Sequence, residues 1–310
     1  MIVTVRAASV LSTAEAQQVL NLVTQATAAD GRSPLSEHVL LHLRHGGDEG
    51  SSHVLVTADT GELLGYAHLD ATDLIQGPIA ELVVHPGHRR EGVGRALITE
   101  LVARDSGSRL RLWAHGEQQG ASFLATSMGF GKQRVLLQMR RSLHAPLDPV
   151  HWPAGITARA FTPGADDAKW LQINAEAFAD HPEQGSWTAR DLAQRMSEPW
   201  FDPRGFIVAE RDGTMVGFHW TKVHGIGSSA HHHAPIGEVY VVGVAPGEQG
   251  TGLGRALTLA GLHHLRNLGL GQAMLFVDAT NTAAIGLYTS LGFTNWDTDV
   301  LYRHRGVALR

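Results

Sequence analysis

Val84-His85-Pro86-Gly87-His88-Arg89-Arg90-Glu91-Gly92-Val93-Gly94-Arg95-Ala96-Leu97 and Val244-Ala245-Pro246-Gly247-Glu248-Gln249-Gly250-Thr251-Gly252-Leu253-Gly254-Arg255-Ala256-Leu257 are two copies of one pattern. Pro86 answers Pro246, Gly92 answers Gly252, and Gly94 to Leu97 answer Gly254 to Leu257, all at one offset of 160 residues. A second anchor follows in the same order: Thr126-Ser127-Met128-Gly129-Phe130 answers Thr289-Ser290-Leu291-Gly292-Phe293 at an offset of 163. Two ordered anchors mark a duplication. Between the copies, His144 to Pro153 holds Pro146, Pro149 and Pro153, which remove backbone donors and force extended chain. The expected domains are therefore 1–147 and 148–310.

Each copy places an apolar strand before the glycines and an amphipathic helix behind them. In the second half the patterning predicts strands over 156–159, 206–210, 214–221, 236–244, 273–277 and 295–302. Helices are expected over 166–178, 253–268 and 281–291. Asp212-Gly213 is a hairpin turn signal. The first half repeats this with a hairpin of 55–57 and 63–69 and a strand over 79–84.

The chain has 310 residues, 43% hydrophobic and 18% charged, which suits two globular domains. A formal charge of −5 argues against a broad nucleic-acid surface. The absence of cysteine excludes disulfides, thiolate metal sites and a cysteine nucleophile. No stretch reaches the roughly 18 apolar residues of a membrane span, and the N-terminus lacks the pattern of a secretion signal. A cytoplasmic protein without a membrane partner is expected.

Glycines let backbone approach a ligand, and a helix N-terminus offers free N–H groups and a positive dipole end. The two turns thus suit a pyrophosphate. Neither is a dinucleotide fingerprint or a P-loop, because a third glycine with its acidic partner, or Gly-Lys-Ser/Thr, is missing.

Strand, Val-x-Pro, Arg/Gln-x-x-Gly-x-Gly, helix, strand, Asn-x-x-Ala and a Leu-Gly-Phe ending together resemble the GCN5-related N-acetyltransferases (GNATs). The resemblance covers nearly the whole chain as two consecutive domains. It implies an α/β (α+β) fold in which each tandem domain is a mixed, mostly antiparallel sheet flanked by helices. It also implies acetyl-coenzyme A (acetyl-CoA), held in the second half by Gln249, Gly250, Thr251, Gly252, Leu253, Gly254 and Arg255, by the strand at Val242-Gly243-Val244, and by Asn281. Gly243 in mid-strand suits a bulge or a close backbone approach. The corresponding groups of the first half are Leu82, Val83, Val84, Arg90, Gly92, Gly94 and Arg95, with Arg89 a further phosphate partner. A narrower likeness rests on the tandem layout with His181-Pro182-Glu183-Gln184-Gly185, Phe218 to His224 and Gly237 to Val244. It is to the mycothiol synthases, which acetylate the free amine of a cysteinyl-glucosamine-inositol conjugate.

Attack on a thioester needs a neutral amine, and an α-amino group with a pKa of about 7.7–8.0 needs only a modest base. By the resemblance Glu238 is the general base, although a glutamate at a strand end is more often a surface group. The family's matching tyrosine makes Tyr288 the acid for the departing thiolate. A buried ring filling the sheet face is the competing reading. Asn281 suits a helix cap as well as a cofactor contact. The resemblance assigns the acceptor to Glu183, Lys222, Glu238 and Phe276, with Glu37 contributed from the first domain. Lys222 is one of only three lysines. His231-His232-His233 reads as a solvated loop, since adjacent extended side chains diverge, and no metal is expected.

The offsets place Ala125 against Tyr288, Pro78 against Glu238 and Gln118 against Asn281, so the first half is expected to bind without catalysing. The expected acceptor is a small-molecule amine, with no nucleic-acid partner, and the chain is taken as a monomer. Another small amine, a peptide N-terminus, or an acyl-CoA sensor without turnover remain the alternatives.

Overall fold

The computed structural model describes residues 3–47, 49–105, 107–116, 118–179, 181–225 and 234–306, apart from the side chains of 182 and 183. Contacts divide the chain into two compact units. One comprises Met1–Leu137, Asp278–Thr280 and Asp297–Arg310; the other comprises Gln138–Val277 and Asn281–Trp296.

In the first half the elements run β1 (Val3–Ala8), α1 (Thr13–Asp30), α2 (Glu37–His45), β2 (Ser51–Ala58), β3 (Leu63–Asp70), β4 (Ile79–Val84), α3 (Val93–Arg104), β5 (Arg111–Ala114), α4 (Gln119–Ser127) and β6 (Phe130–Ser142). The second half runs β7 (Ile156–Ala160), α5 (Asp167–Ala177), α6 (Pro182–Gly185), α7 (Ala189–Met196), β8 (Phe206–Arg211), β9 (Thr214–His224), β10 (Ile236–Val244), α8 (Leu253–Asn267), β11 (Gln272–Asp278), α9 (Thr282–Ser290) and β12 (Thr294–His304).

The first unit orders its strands β1-β2-β3-β4-β5, and the next neighbour of β5 is β12. There Val300, Leu301, Tyr302 and Arg303 pair antiparallel with Ala114, Trp113, Leu112 and Arg111. The second unit runs β7-β8-β9-β10-β11, and β11 is followed by β6. All pairs inside β1–β4 and β7–β10 are antiparallel, whereas β4–β5 and β10–β11 are parallel.

Both parallel pairs are brief. Only Ile79↔Arg111 and Ala80↔Leu112 join β4 to β5, and only Gly237↔Ala273 and Glu238↔Met274 join β10 to β11. Beyond them the strands part, and among the described residues the backbone edge of 239–244 has no ladder partner on that side.

The core of the second unit lies on both faces of this sheet. On one face Leu253 and Leu257 of α8 pack on Ala209, Val242 and Val244. On the other, Trp170 of α5 joins Phe206, Phe218 and Trp220, all fully buried. Each such ring contributes about 1.5–3 kcal/mol. Trp220 stacks on Phe206 at 4.4 Å and meets Trp170 edge-on at 5.7 Å, the offset and perpendicular arrangements that aromatic quadrupoles favour.

Candidate functional site

The two glycine turns have the same backbone. Gly252 (φ +91°) and Gly92 (φ +92°) each sit directly before a helix, in the left-handed region that side-chain-bearing residues avoid. Two residues earlier Gly250 has φ +78°, and Arg90 holds the same conformation at φ +69°. No side chain caps α8 or α3, so their first N–H groups are left for a ligand. A Cβ built on Gly250 or Gly252 would meet nothing within 4 Å, so the space before the turn is open. An open strand edge followed by uncapped amides fits a long ligand with a pyrophosphate, as acetyl-CoA is.

Three arginines around the turns are engaged. Arg255 bonds Ser290 Oγ at 2.9 Å and Asp148 Oδ2 at 2.7 Å, and Arg95 reaches Ser127 Oγ at 3.5 Å. Arg89 forms a two-pronged pair with Asp30 at 2.8 and 2.7 Å.

Gly243 is not a bulge. A Cβ there would stand 2.5 Å from the Phe218 ring, so this glycine makes room for packing. The ladder of β9 and β10 instead breaks between Val239 and Val241, which makes Tyr240 the extra residue. Its first-unit counterpart, β3–β4, pairs without a break from Gly65↔Val84 to Asp70↔Ile79. Counting along the two ladders from Val84 and Val244, the partner of Glu238 is therefore Ile79, not the Pro78 that the glycine offset gives. The bulge supplies the missing residue.

Glu238 is buried and pairs across the ladder with Lys222, which is also buried. Both face the aromatic core, as does His224 two residues further along β9, because side chains alternate along a strand. Met274 pairs with Glu238, so Phe276, half-buried on β11, falls on the same face. The Lys222 Nζ lies 4.6 Å from the Trp200 ring centroid and 5.1 Å from that of Tyr240, a cation held against aromatic faces. His224 Nε2 stands 2.6 Å from Glu238 Oε2. No other described residue bonds the Glu238 carboxylate.

Tyr288 projects from α9 and meets Phe293 edge-on at 5.9 Å. Burial pushes its phenol up to about 12. Among the described residues no protein group takes its hydroxyl. Asn281 caps α9, its Oδ1 accepting from Ala284 N–H at 3.0 Å. Glu37 opens α2 in the first unit. Glu183 falls in α6 with its side chain outside the described residues, and His231 to His233 lie outside them altogether.

Three groups in this environment have no role in the sequence reading: Tyr240 and His224, although both lie in the stretches that carry the family likeness, and Arg195. Arg195 of α7 is buried, donates from Nε to the Tyr240 oxygen at 2.9 Å, and lies 3.7 Å from the Trp187 ring centroid.

In the first unit His115, directly after β5, ties Glu81 of β4 to Asp299 of β12. His115 lies 3.1 Å from Glu81 Oε2 and 3.0 Å from Asp299 Oδ2, and Asp299 also accepts from Arg32 at 2.7 Å and from Gly116 N–H at 2.9 Å. Burial alone would lower His115, but the two carboxylates outweigh it and hold the imidazole up at about 9.

Among the described residues no helix is long and apolar enough to cross a membrane. Residues 169–293 match the Acetyltransferase (GNAT) family, and residues 50–132 match an Acetyltransferase (GNAT) domain. A mycothiol acetyltransferase of Acidothermus cellulolyticus is 57% identical over 94% of this chain and 91% of its own length. That of Streptomyces coelicolor is 51% identical over 94% and 93%. Among solved structures, a GCN5-related N-acetyltransferase from Sphaerobacter thermophilus is 26% identical with a TM-score of 0.67, covering 99% of this chain and 98% of that one. A tandem GNAT protein from the clavulanic acid pathway shares the fold at 19% identity and a TM-score of 0.74, covering 99% and 100%. Two GNAT domains in one chain, and relatives more than half identical over more than nine-tenths of both chains, establish that this protein belongs to the mycothiol acetyltransferase family of GNAT acyltransferases.

Proposed function

We propose that this chain transfers the acetyl group of acetyl-CoA to the cysteinyl amine of a cysteinyl-glucosaminyl-inositol, the acetylation that completes mycothiol, and that its second unit performs the chemistry by direct attack. Acetyl-CoA supplies the acetyl group already activated as a thioester. The uncapped amides at Gly252–Arg255, with Gln249 to Thr251, hold its pyrophosphate, and the open edge at Val242-Gly243-Val244 holds the pantetheine. Asn281 completes that side.

The observation that carries this reading is the Glu238 carboxylate, buried at the last paired position before β10 and β11 part. There it takes a proton from the acceptor's ammonium, so that the neutral nitrogen attacks the carbonyl carbon. The Tyr288 hydroxyl gives its proton to the departing sulfur. A phenol raised to about 12 is protonated at neutral pH and so is charged with the proton it must deliver. Lys222 and Phe276, on the Glu238 face, and Glu183 bind the acceptor.

The first unit keeps the same turn but has Ile79 and Ala125 where the second has Glu238 and Tyr288. It binds acetyl-CoA through Leu82 to Val84, Arg90, Gly92, Gly94 and Arg95 without turning it over. The acceptor is a small molecule, and the enzyme acts as a cytoplasmic monomer without a nucleic-acid partner.

The test is release of free CoA from acetyl-CoA with the cysteinyl conjugate, compared with aminoglycosides and peptide N-termini. Turnover with the conjugate should exceed the others by orders of magnitude. Equal rates on an unrelated amine, or binding of acetyl-CoA with no release, would overturn the assignment.

A further inference from the structure

We propose that His224 is a positioning residue for the Glu238 carboxylate, its Nε2–H fixing Oε2 so that Oε1 is presented to the acceptor amine. The inference rests on the reading of Glu238 as the base. The 2.6 Å contact runs diagonally across the β9/β10 ladder, since His224 pairs with Ile236 and Glu238 with Lys222. An ionised carboxylate only accepts hydrogen bonds, so the imidazole nitrogen facing it carries the proton.

The two partners differ in their access to water. The Glu238 side chain is 8% exposed and that of His224 is 35% exposed. A buried carboxylate needs a charged or strongly polarised donor to remain ionised, and among the described residues His224 is its one hydrogen-bond partner. Two carboxylate oxygens then have separate duties. Oε2 is tethered, while Oε1 has no described partner and accepts the amine proton: the N–H bond breaks, the Oε1–H bond forms, and the negative charge on Glu238 is neutralised. His224 keeps its Nε2 proton throughout, and the proton on Oε1 leaves to water after the product departs. Misplacing a base by about 1 Å costs roughly 100-fold in rate, which is the size of effect available to a group that only orients it.

Three variants separate this role from plain stabilisation: His224→Phe, which keeps a planar ring without a donor; His224→Gln, which keeps an N–H donor; and Glu238→Gln. The readouts are kcat, KM for each substrate, CoA affinity by calorimetry, and the thermal midpoint. His224→Phe should lower kcat by about ten- to 100-fold while leaving KM for acetyl-CoA and CoA affinity within about twofold, and His224→Gln should recover most of kcat. Unchanged kcat in His224→Phe beside a collapsed Glu238→Gln would overturn the positioning role and leave the base intact. Equal loss in His224→Phe and His224→Gln would overturn the donor role. Full activity in Glu238→Gln would instead remove the base itself. If His224→Phe does not fold, His224→Met makes the same comparison with His224→Gln.

Discussion

Arg195 donates a 2.9 Å hydrogen bond from Nε to the phenol oxygen of Tyr240. Tyr240 is the residue that breaks the β9/β10 ladder, so α7 grips the bulge two residues beyond Glu238. The guanidinium is buried over the Trp187 ring, where water does not readily replace a lost acceptor.

Tyr240→Phe should therefore destabilise the second unit by about 1–3 kcal/mol, the cost of leaving a buried donor unpaired. Denaturant unfolding reads this. The same variant should lower kcat more than KM for acetyl-CoA, because the bulge sets where Glu238 sits and not the pyrophosphate turn.

Tyr288→Phe should reduce kcat by roughly 100- to 10,000-fold while leaving acetyl-CoA binding almost unchanged. With the phenol at about 12, no basic limb in the rate profile should arise from it below about pH 10. The sign for stability follows: a group raised in the folded state stabilises below its unfolded pKa of about 10, and that contribution is lost as pH rises through about 12. Initial-rate assays from about pH 6 to about pH 10 would expose a limb if the acid were a different group.

Gly252→Ala and Gly92→Ala form a matched pair, since φ is +91° at one and +92° at the other. Each should cost about 1–2 kcal/mol in backbone strain. Only Gly252→Ala should also depress turnover, because its Cβ enters the open space before α8. Loss of turnover in Gly92→Ala alone would move the chemistry to the first unit.

Asp299→Ala should destabilise the first unit. It removes an acceptor of Arg32, Gly116 and His115 together; Arg32 keeps Asp297 and His115 keeps Glu81, so the cost is that of buried donors losing a bond, about 1–3 kcal/mol. The first unit should also be most stable near pH 6.5. His115, held at about 9, stabilises below its unfolded pKa of about 6.5 and loses that contribution as pH rises through about 9. His68, pushed down to about 3 chiefly by burial, does the reverse: its contribution is present above about 6.5 and is lost as pH falls towards about 3. Unfolding midpoints measured from about pH 2 to about pH 10, bracketing these values by about one unit, should fall on both sides of neutrality, and the alkaline fall should vanish in His115→Gln.

Much of this architecture is written in local pattern. The strand expected over 236–244 is Ile236–Val244, the helix expected over 253–268 is Leu253–Asn267, and Asp212-Gly213 turns the hairpin with φ of +49° and +76°. Glycine spacing and apolar periodicity act over a few residues, so one sequence displays them. The bulge at Tyr240 does not, because one extra strand residue leaves no compositional mark, and it shifts the match of Glu238 from Pro78 to Ile79. Helix α7 did leave one: Thr188 and Asp191 form a capping box at its start. His224 ends the stretch Phe218 to His224 that carries the family likeness, yet nothing there gives it a role, because its contact with Glu238 exists only once β9 and β10 are in register.

The pairing of Val300–Arg303 with β5 bears on how the polypeptide matures during synthesis. Strand β5 leaves the ribosome long before its neighbour is translated, and meanwhile exposes backbone groups that an adjacent chain can capture. Its sheet is completed by a contact between segments far apart in sequence, such as Arg111 and Arg303, 303 − 111 = 192 positions from each other, and closures over such separations are slow. Nascent chains should thus depend on holding chaperones until the final strand arrives, and expression of residues 1–147 alone leaves that edge permanently unsatisfied.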